Sequence, residues 1–313
     1  MQVSKFRGVF PPVPTVVDAM GRLDERGMAA LIDKLIGDGV NGLLFLGSGG
    51  EFCHMPKEMR FKVAEFTVRH TAGRVPVLLG ISSPSTAETI EFGHHADRLG
   101  VDAVLVVNPY YALLNDESIY NHFRSVAEAI KTPVILYNFP ALTKQNLDVP
   151  LVARLATDVP RIIGIKDTVD NASHIREIVN VVRPQHPDFV IFAGFDEYMM
   201  DALVLGANGG IPATSNFAPS ITCGLYKAFV EKDFERMFVL QRQLAKLSSI
   251  YELERPFFGA IKQAIRLCGL DISTAVLAPV QTLSVEKEKR LIEILEYAAV
   301  LPRPAAKQGV GAA

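Results

Sequence analysis

A lysine stands at the end of an apolar run rich in β-branched residues. The run 162–168 has the sequence I-I-G-I-K-D-T, in which Lys166 is followed at once by an acid and a hydroxyl. A strand buried on both faces is expected to be apolar throughout, so this amine must point to a place that accepts it, such as the ligand-binding carboxyl end of a parallel sheet or barrel. Desolvation there favours the neutral amine that attacks a carbonyl, which is the chemistry of a Schiff-base lysine. A strand-end lysine that extends to water explains this run equally well.

A glycine-rich turn follows another apolar run and could hold an anion. The sequence G-S-G-G-E, residues 47–51, exposes backbone N–H groups and the Ser48 hydroxyl. Such a turn can bind a carboxylate or phosphate without a positive side chain. The alternative is a tight strand-to-helix turn whose glycines supply positive φ angles.

Tyrosines end two further apolar runs. V-N-P-Y-Y brings Tyr110 and Tyr111 to one strand end, and Y-N-F-P brings Tyr137 to the next. A single such tyrosine is usually a core residue with a solvated tip. Two of them beside a lysine favour proton transfer to and from a carbinolamine or a hydroxyl, which imine chemistry requires.

Acids and hydroxyls follow the last two runs. G-F-D-E spans residues 194–197 and I-P-A-T-S-N spans residues 211–216. We expect Asp196 to bind substrate hydroxyls, whereas Glu197 suits the first turn of a helix.

The apolar runs recur at a spacing that determines the expected fold. Seven runs of strand length are separated by segments with helical periodicity, and their central residues lie 21 to 34 residues apart: 42–46, 75–81, 103–107, 133–137, 161–166, 189–193 and 209–212. An irregular N-terminal run, 8–16, contains three prolines and completes a set of eight. Eight units of roughly 30 residues predict an α/β fold, a (β/α)8 TIM barrel over residues 1–225, rather than a doubly wound sheet.

Helical segments continue beyond the eighth run. Residues 23–37 and 87–99 carry the capping signals of barrel helices. Four amphipathic segments follow the last strand, at 219–230, 234–250, 256–268 and 285–300. The first belongs to the eighth unit, and the others predict a C-terminal helical extension over residues 226–301. The small and polar residues 302–313 predict a disordered tail.

Composition excludes several classes of function. The 313-residue chain is 49% hydrophobic and 21% charged with a formal net charge of -2, which is typical of a soluble enzyme and gives no reason to expect nucleic acid or a membrane as partner. Cys53, Cys223 and Cys268 form no C-x-x-C pair, and neither H-E-x-x-H nor a Walker loop occurs, so we expect no disulfide framework and no metal. Without an apolar N-terminal segment or a run of roughly 18 apolar residues, the sequence predicts a cytoplasmic protein.

Four motifs in order resemble one enzyme family. G-S-G-G-E, P-Y-Y at 109–111, Y-N-F-P at 137–140 and G-I-K-D at 164–167 are similar to those of the dihydrodipicolinate synthase and N-acetylneuraminate lyase family. Its members are pyruvate-dependent class I aldolases on a (β/α)8 barrel, and the resemblance extends over almost the whole chain, the helical extension included.

The resemblance implies a role for each matching residue. Lys166 is expected to form an imine with pyruvate and Tyr137 to move protons, while Ser48 and Gly49 hold the pyruvate carboxylate. Tyr111 is expected to reach across a dimer interface, and Ile211 to direct its carbonyl at the imine. The implied partner is a small keto acid, the implied assembly is a homotetramer built as a dimer of dimers, and no cofactor is implied beyond the covalent imine.

Two departures from the family pattern point to a subfamily. Leu142 stands where the synthases place an arginine that binds the carboxylate of aspartate semialdehyde, and leucine offers no donor. Gly49 replaces a threonine that many relatives carry. Together with G-F-D-E, in which Gly194 and Asp196 would bind substrate, these features resemble the bacterial 2-keto-3-deoxy sugar acid aldolases.

We therefore expect cleavage of 2-dehydro-3-deoxy-gluconate or -pentonate to pyruvate and a hydroxyaldehyde. Three alternatives remain open. They are dihydrodipicolinate synthesis or N-acetylneuraminate cleavage, a dehydratase that uses the same lysine, and a non-enzymatic barrel that senses keto acids.

Overall fold

Eight short parallel strands follow one another at the predicted spacing. In the computed structural model, which describes residues 5–302, they are β1 (Gly8–Val9), β2 (Leu43–Phe45), β3 (Val77–Gly80), β4 (Ala103–Val107), β5 (Val134–Asn138), β6 (Ile162–Asp167), β7 (Val190–Ala193) and β8 (Gly209–Gly210). Their order in the sheet is β1-β8-β7-β6-β5-β4-β3-β2. A parallel bridge between Pro12 and Leu44 joins the two ends, which gives the predicted (β/α)8 barrel.

The first strand is shorter than the predicted run 8–16. Prolines at positions 11, 12 and 14 have no N–H, so they cannot form a regular ladder. The segment still contacts β2, because Leu44 donates to the carbonyl of Pro11 (2.9 Å) and Val13 donates to the carbonyl of Leu44 (2.8 Å). The barrel therefore closes through an irregular segment rather than a full strand.

Helices cover the outside of the barrel. They are α1 (Glu25–Gly37), α2 (Lys57–Thr71), α3 (Thr86–Leu99), α4 (Asp116–Ala129), α5 (Pro140–Thr143), α6 (Val149–Asp158), α7 (Ala172–Val182), α8 (Met199–Leu205), α9 (Pro219–Glu231), α10 (Phe234–Leu247), α11 (Phe258–Leu267) and α12 (Val285–Tyr297). The predicted caps are present: the Asp24 side chain accepts from Gly27 N before α1, and Ser85 accepts from Glu88 N before α3. None of the helices in residues 5–302 is long and apolar enough to cross a membrane.

The extension begins later than the sequence suggested. The predicted boundary after residue 225 falls inside α9, because the last barrel helix continues to Glu231. Its amphipathic pattern has no break at residue 225, and the change of direction comes only where Lys232 adopts a left-handed conformation. Helices α10, α11 and α12 form the extension, and all but the first residue of the predicted tail 302–313 lies outside the described residues.

A buried ion pair joins the extension to the barrel. Lys262 on α11 contacts the carboxylate of Glu51, which follows the glycine-rich turn after β2, and both side chains are fully buried. Glu51 also accepts a hydrogen bond from Leu277 N (2.8 Å), and Lys262 donates to the carbonyl of Ala275 (2.7 Å). Burial lowers the pKa of Lys262, and the Glu51 carboxylate opposes that change.

We expect Lys262→Met to destabilise the fold by about 3–5 kcal/mol, because it leaves the Glu51 carboxylate buried without a counter-charge. Urea unfolding measures the loss. The double variant Glu51→Gln, Lys262→Met should recover most of it, since no buried charge remains and glutamine can still accept from Leu277 N.

Lys287→Met is the matched control for this pair. It breaks a partly exposed ion pair with Glu254 and should cost less than about 1 kcal/mol. Equal losses for the two single variants would contradict the importance of the buried pair.

Candidate active site

A cavity of about 880 Å³ opens at the carboxyl ends of the strands. This volume suits a small-molecule site. Every predicted site residue except Tyr111 lines it, namely Ser48, Gly49, Tyr137, Lys166, Gly194, Asp196 and Ile211. The carboxyl ends of parallel strands share one rim, and that geometry brings together residues that are distant in sequence.

Lys166 and Tyr137 lie side by side in this cavity. They are paired residues on β6 and β5, and both are buried. The Lys166 Nζ is 4.2 Å from the centroid of the Tyr137 ring. Lys166 is thus held inside the pocket rather than extended to water, which excludes the alternative that its own sequence run left open.

The glycine-rich turn lies beside the tyrosine. Residues Ser48–Gly50 form a single 3-10 turn, and Glu51 follows in a left-handed conformation (φ 63°). The Ser48 Oγ is 3.2 Å from the Tyr137 hydroxyl. Two groups that exchange protons readily are therefore within hydrogen-bonding distance, and the Lys166 amine lies against the ring of the same tyrosine.

Thr168 is a site residue that sequence reasoning did not single out. It is buried and lines the cavity two residues after Lys166, and its Oγ1 has no hydrogen-bond partner among residues 5–302. Gly194 leaves room for it, because a Cβ at position 194 would lie 1.8 Å from Thr168 Oγ1. A buried hydroxyl without a partner can bond a substrate hydroxyl or carbonyl.

The Asp196 carboxylate already accepts hydrogen bonds from other residues of the protein. The donors are Thr214 N (2.9 Å), Ala213 N (3.3 Å) and the Tyr251 hydroxyl (2.9 Å). Burial raises the pKa of Asp196 to about 6, although the hydrogen bonds from Thr214 and Tyr251 favour the carboxylate. These contacts join the loops after β7 and β8 to the extension, and its binding of distal hydroxyls stays a prediction.

Tyr111 lies outside the cavity of its own chain. Its side chain is 101% exposed, and its backbone has φ 79°, an unfavourable value for a residue with a bulky side chain. Such strain is concentrated at functional sites. The reach of Tyr111 across a dimer interface, which the family resemblance implies, stays a prediction.

The extension contributes one wall of the cavity. Tyr251, Arg255 and Phe257 line it, and no sequence pattern indicated this because these residues follow no strand. Leu142, where the resemblance to the synthases would place an arginine, lines the cavity and is 57% exposed. Among residues 5–302, no cluster of three or more His, Cys, Asp and Glu side chains could hold a metal ion.

The family of the chain follows from comparison with known proteins. The sequence pattern of the dihydrodipicolinate synthetase family matches residues 5–298. The chain belongs to this family. Its members are pyruvate-dependent lyases, and the protein is an enzyme of that kind.

Two Escherichia coli proteins are among the relatives that the chain resembles. The chain is 42% identical over 295 residues to YagE of Escherichia coli K12, provisionally named a 2-dehydro-3-deoxy-D-gluconate aldolase; the match covers 94% of this chain and 98% of YagE. YjhH of the same organism, provisionally named a 2-dehydro-3-deoxy-D-pentonate aldolase, is 39% identical and matches 96% of this chain and 100% of its own length. The crystal structure of YagE in complex with pyruvate superposes with a TM-score of 0.93 over 94% of this chain and 99% of that one.

Ionisation of Asp196 should make the free energy of unfolding depend on pH. Its pKa of about 6 in the folded protein exceeds the usual value of 3.8, so the folded chain binds this proton more tightly than the unfolded chain. The contribution of this group to the free energy of unfolding is therefore largest at low pH and falls as the pH rises from about 4 to about 6. Asp196→Asn should remove this slope, as measured by urea unfolding at several pH values.

The exposed Asp201→Asn on α8 is the control and should keep the slope. The slope is the informative quantity, because an asparagine amide facing Ala213 N also lowers stability by an amount that does not depend on pH. A wild-type slope retained in Asp196→Asn would contradict the assignment.

Proposed function

We propose that the protein is a Schiff-base aldolase that cleaves a 2-dehydro-3-deoxy sugar acid, gluconate or pentonate, to pyruvate and a hydroxyaldehyde. The observation that carries this proposal is that three functional side chains, those of Lys166, Tyr137 and Ser48, are neighbours in the cavity. The Lys166 amine lies 4.2 Å from the Tyr137 ring centroid, and the Tyr137 hydroxyl lies 3.2 Å from Ser48 Oγ. A nucleophilic amine, a proton carrier and a carboxylate-binding turn are the groups that imine chemistry on a 2-keto acid requires.

The reaction follows from these groups. Lys166 Nζ attacks the C2 ketone, and loss of water gives a protonated imine that accepts electrons. Tyr137 takes the proton from the C4 hydroxyl, the C3–C4 bond breaks, and the aldehyde leaves. The resulting enamine is protonated at C3, and water hydrolyses the imine to release pyruvate and the free amine. No further cofactor enters this scheme.

The turn around Ser48 holds the substrate during all of these steps. Its N–H groups and hydroxyl are fixed before the substrate arrives, so they stabilise the carboxylate without reorganisation. Lys166 itself is buried, so its amine is largely shielded from bulk solvent.

The residues of the cavity wall indicate the chemistry of the part of the substrate that leaves as the aldehyde. Leu142 offers no charged group to an acidic aldehyde, whereas the Thr168 hydroxyl, which has no partner within residues 5–302, can bond a hydroxyl on the sugar chain. The names of YagE and YjhH agree with a sugar acid substrate. The catalytic role of Tyr111 also implies an assembly of at least two chains, and we propose a homotetramer built as a dimer of dimers.

Trapping with borohydride tests the imine. Incubation with pyruvate and borohydride should give a reduced adduct on Lys166, located by mass spectrometry, and Lys166→Met should give none. Lys144→Met is the matched control, because Lys144 lines the same cavity but its ammonium bonds the carbonyl of Ala141. An adduct on Lys144, or none at all in the wild type, would overturn the mechanism.

Product analysis then separates the aldolase from a dehydratase. With 2-dehydro-3-deoxy-gluconate and -pentonate, we expect equal amounts of pyruvate and aldehyde. A dehydrated product that retains all the carbons would identify the dehydratase, and turnover of pyruvate with aspartate semialdehyde would identify the synthase.

Hybrid dimers test the role of Tyr111. Lys166→Met and Tyr111→Phe should each be nearly inactive as pure proteins. A purified hybrid of the two should recover about half of the wild-type kcat per dimer, because one of its two sites combines an intact lysine with an intact tyrosine from the other chain. An inactive hybrid would show that Tyr111 acts within its own chain, and a fully active Tyr111→Phe protein would show that Tyr111 has no catalytic role.

A further inference from the structure

A second pair of side chains lies directly behind the reacting residues. Asn138 follows Tyr137 and Asp167 follows Lys166, and these two residues are also paired across β5 and β6. Successive side chains of a strand face opposite sides, so this pair lies between the barrel and its helices, where both residues are buried. Asn138 Nδ2 donates to Asp167 Oδ1 (2.9 Å).

The pair belongs to a closed ring of four hydrogen bonds. His174, in the first turn of α7, places Nδ1 2.9 Å from Asp167 Oδ2 and Nε2 3.1 Å from the carbonyl oxygen of Leu147. Leu147 N in turn donates to Asn138 Oδ1 (3.0 Å). The ring therefore runs from His174 through Asp167, Asn138 and Leu147 back to His174.

The ring closes only when His174 is charged. Both of its nitrogens face acceptors, a carboxylate and a carbonyl, and a neutral imidazole has a single N–H. The imidazolium has two and satisfies both contacts. When the proton is lost, one of the four bonds must break.

The surroundings of His174 favour the charged form. Its side chain is only 11% exposed, and burial opposes the charge, but the Asp167 carboxylate on β6 outweighs burial and the pKa of His174 is raised. Asp148, which precedes α6, adds to this effect. The charged neighbours on α7 itself, Arg176 and Glu177, are exposed and pair with each other.

We propose that the His174 imidazolium is a positioning residue that holds the ends of β5 and β6 together, and with them Tyr137 and Lys166. Neutral His174 opens the ring and lets the two strand ends move apart, which slows imine formation and proton transfer. This inference rests on the proposed function, since its kinetic effect is read through the imine chemistry of Lys166.

The first test measures the charge of His174 directly. Nitrogen NMR of the wild-type enzyme, with the signal assigned by its absence in His174→Gln, should show two protonated ring nitrogens at pH 7. The midpoint of its titration should lie above that of an ordinary histidine. A neutral ring at pH 7 would overturn the proposal, whatever the reaction of the enzyme.

The second test is kinetic. A glutamine at position 174 cannot donate to both acceptors, so kcat should fall about tenfold to a hundredfold with little change in KM, as expected when reacting groups are displaced. The wild type should lose kcat as the pH rises through the midpoint found by NMR, and the variant should lack this alkaline limb. His186→Ala is the control, because His186 bonds the exposed Thr157 and should keep the wild-type profile.

The outcomes separate the two proposals. A wild-type profile in a folded His174→Gln variant would overturn the role of His174 and leave the aldolase intact. A wild type that forms no borohydride adduct on Lys166 would instead overturn the proposed function, while the NMR result would still decide the charge of the ring.

Discussion

The candidate site depends on the register of β5 against β6, which sets the residues that face each other across these two strands. A register shift between Val134 and Ile135 changes the pairing, so that Ile135 lies opposite Gly164 and Tyr137 lies opposite Lys166. Without that irregularity, Lys166 would pair with Asn138 and face the helices instead of the cavity. Gly164 permits the close approach of β7, since a Cβ there would lie 2.4 Å from the carbonyl oxygen of Val190. One irregularity thus directs both the lysine and the tyrosine inward.

The helical extension is part of the structure around the cavity, because it contacts two of the loops that line it. Lys262 neutralises Glu51 next to the glycine-rich turn, and Tyr251 bonds Asp196 at the end of β7. The first contact is fully buried and the second is partly buried, and each joins the extension to a loop that lines the cavity. Buried polar groups need partners, so the loops and the extension hold one conformation together.

The cavity separates the groups of the proposed imine chemistry from the groups that would face the rest of the substrate. In the proposed mechanism, the first set lies on β5, β6 and the turn after β2, and the second set comes from other parts of the wall. Leu142 and Thr168, which line the cavity, belong to the second set. Substitutions in this part of the wall can therefore change which substrate binds while the imine-forming residues stay the same. One fold can host different activities in this way.

The sequence by itself determined the barrel, the family and the residues of the rim. Strand spacing indicates eight units, and strand-end residues such as Lys166 and Tyr137 stand out because a polar group is costly in a buried strand. Only the tertiary structure decided which of these groups contact one another and which already have a hydrogen-bond or ion-pair partner. It brought Lys262 to Glu51 and Tyr251 to Asp196, and among the described residues 5–302 it left the Thr168 hydroxyl without a hydrogen-bond partner. The register shift between β5 and β6, the His174 ring and the end of α9 at Glu231 depend on contacts between distant segments, which local sequence patterns do not predict.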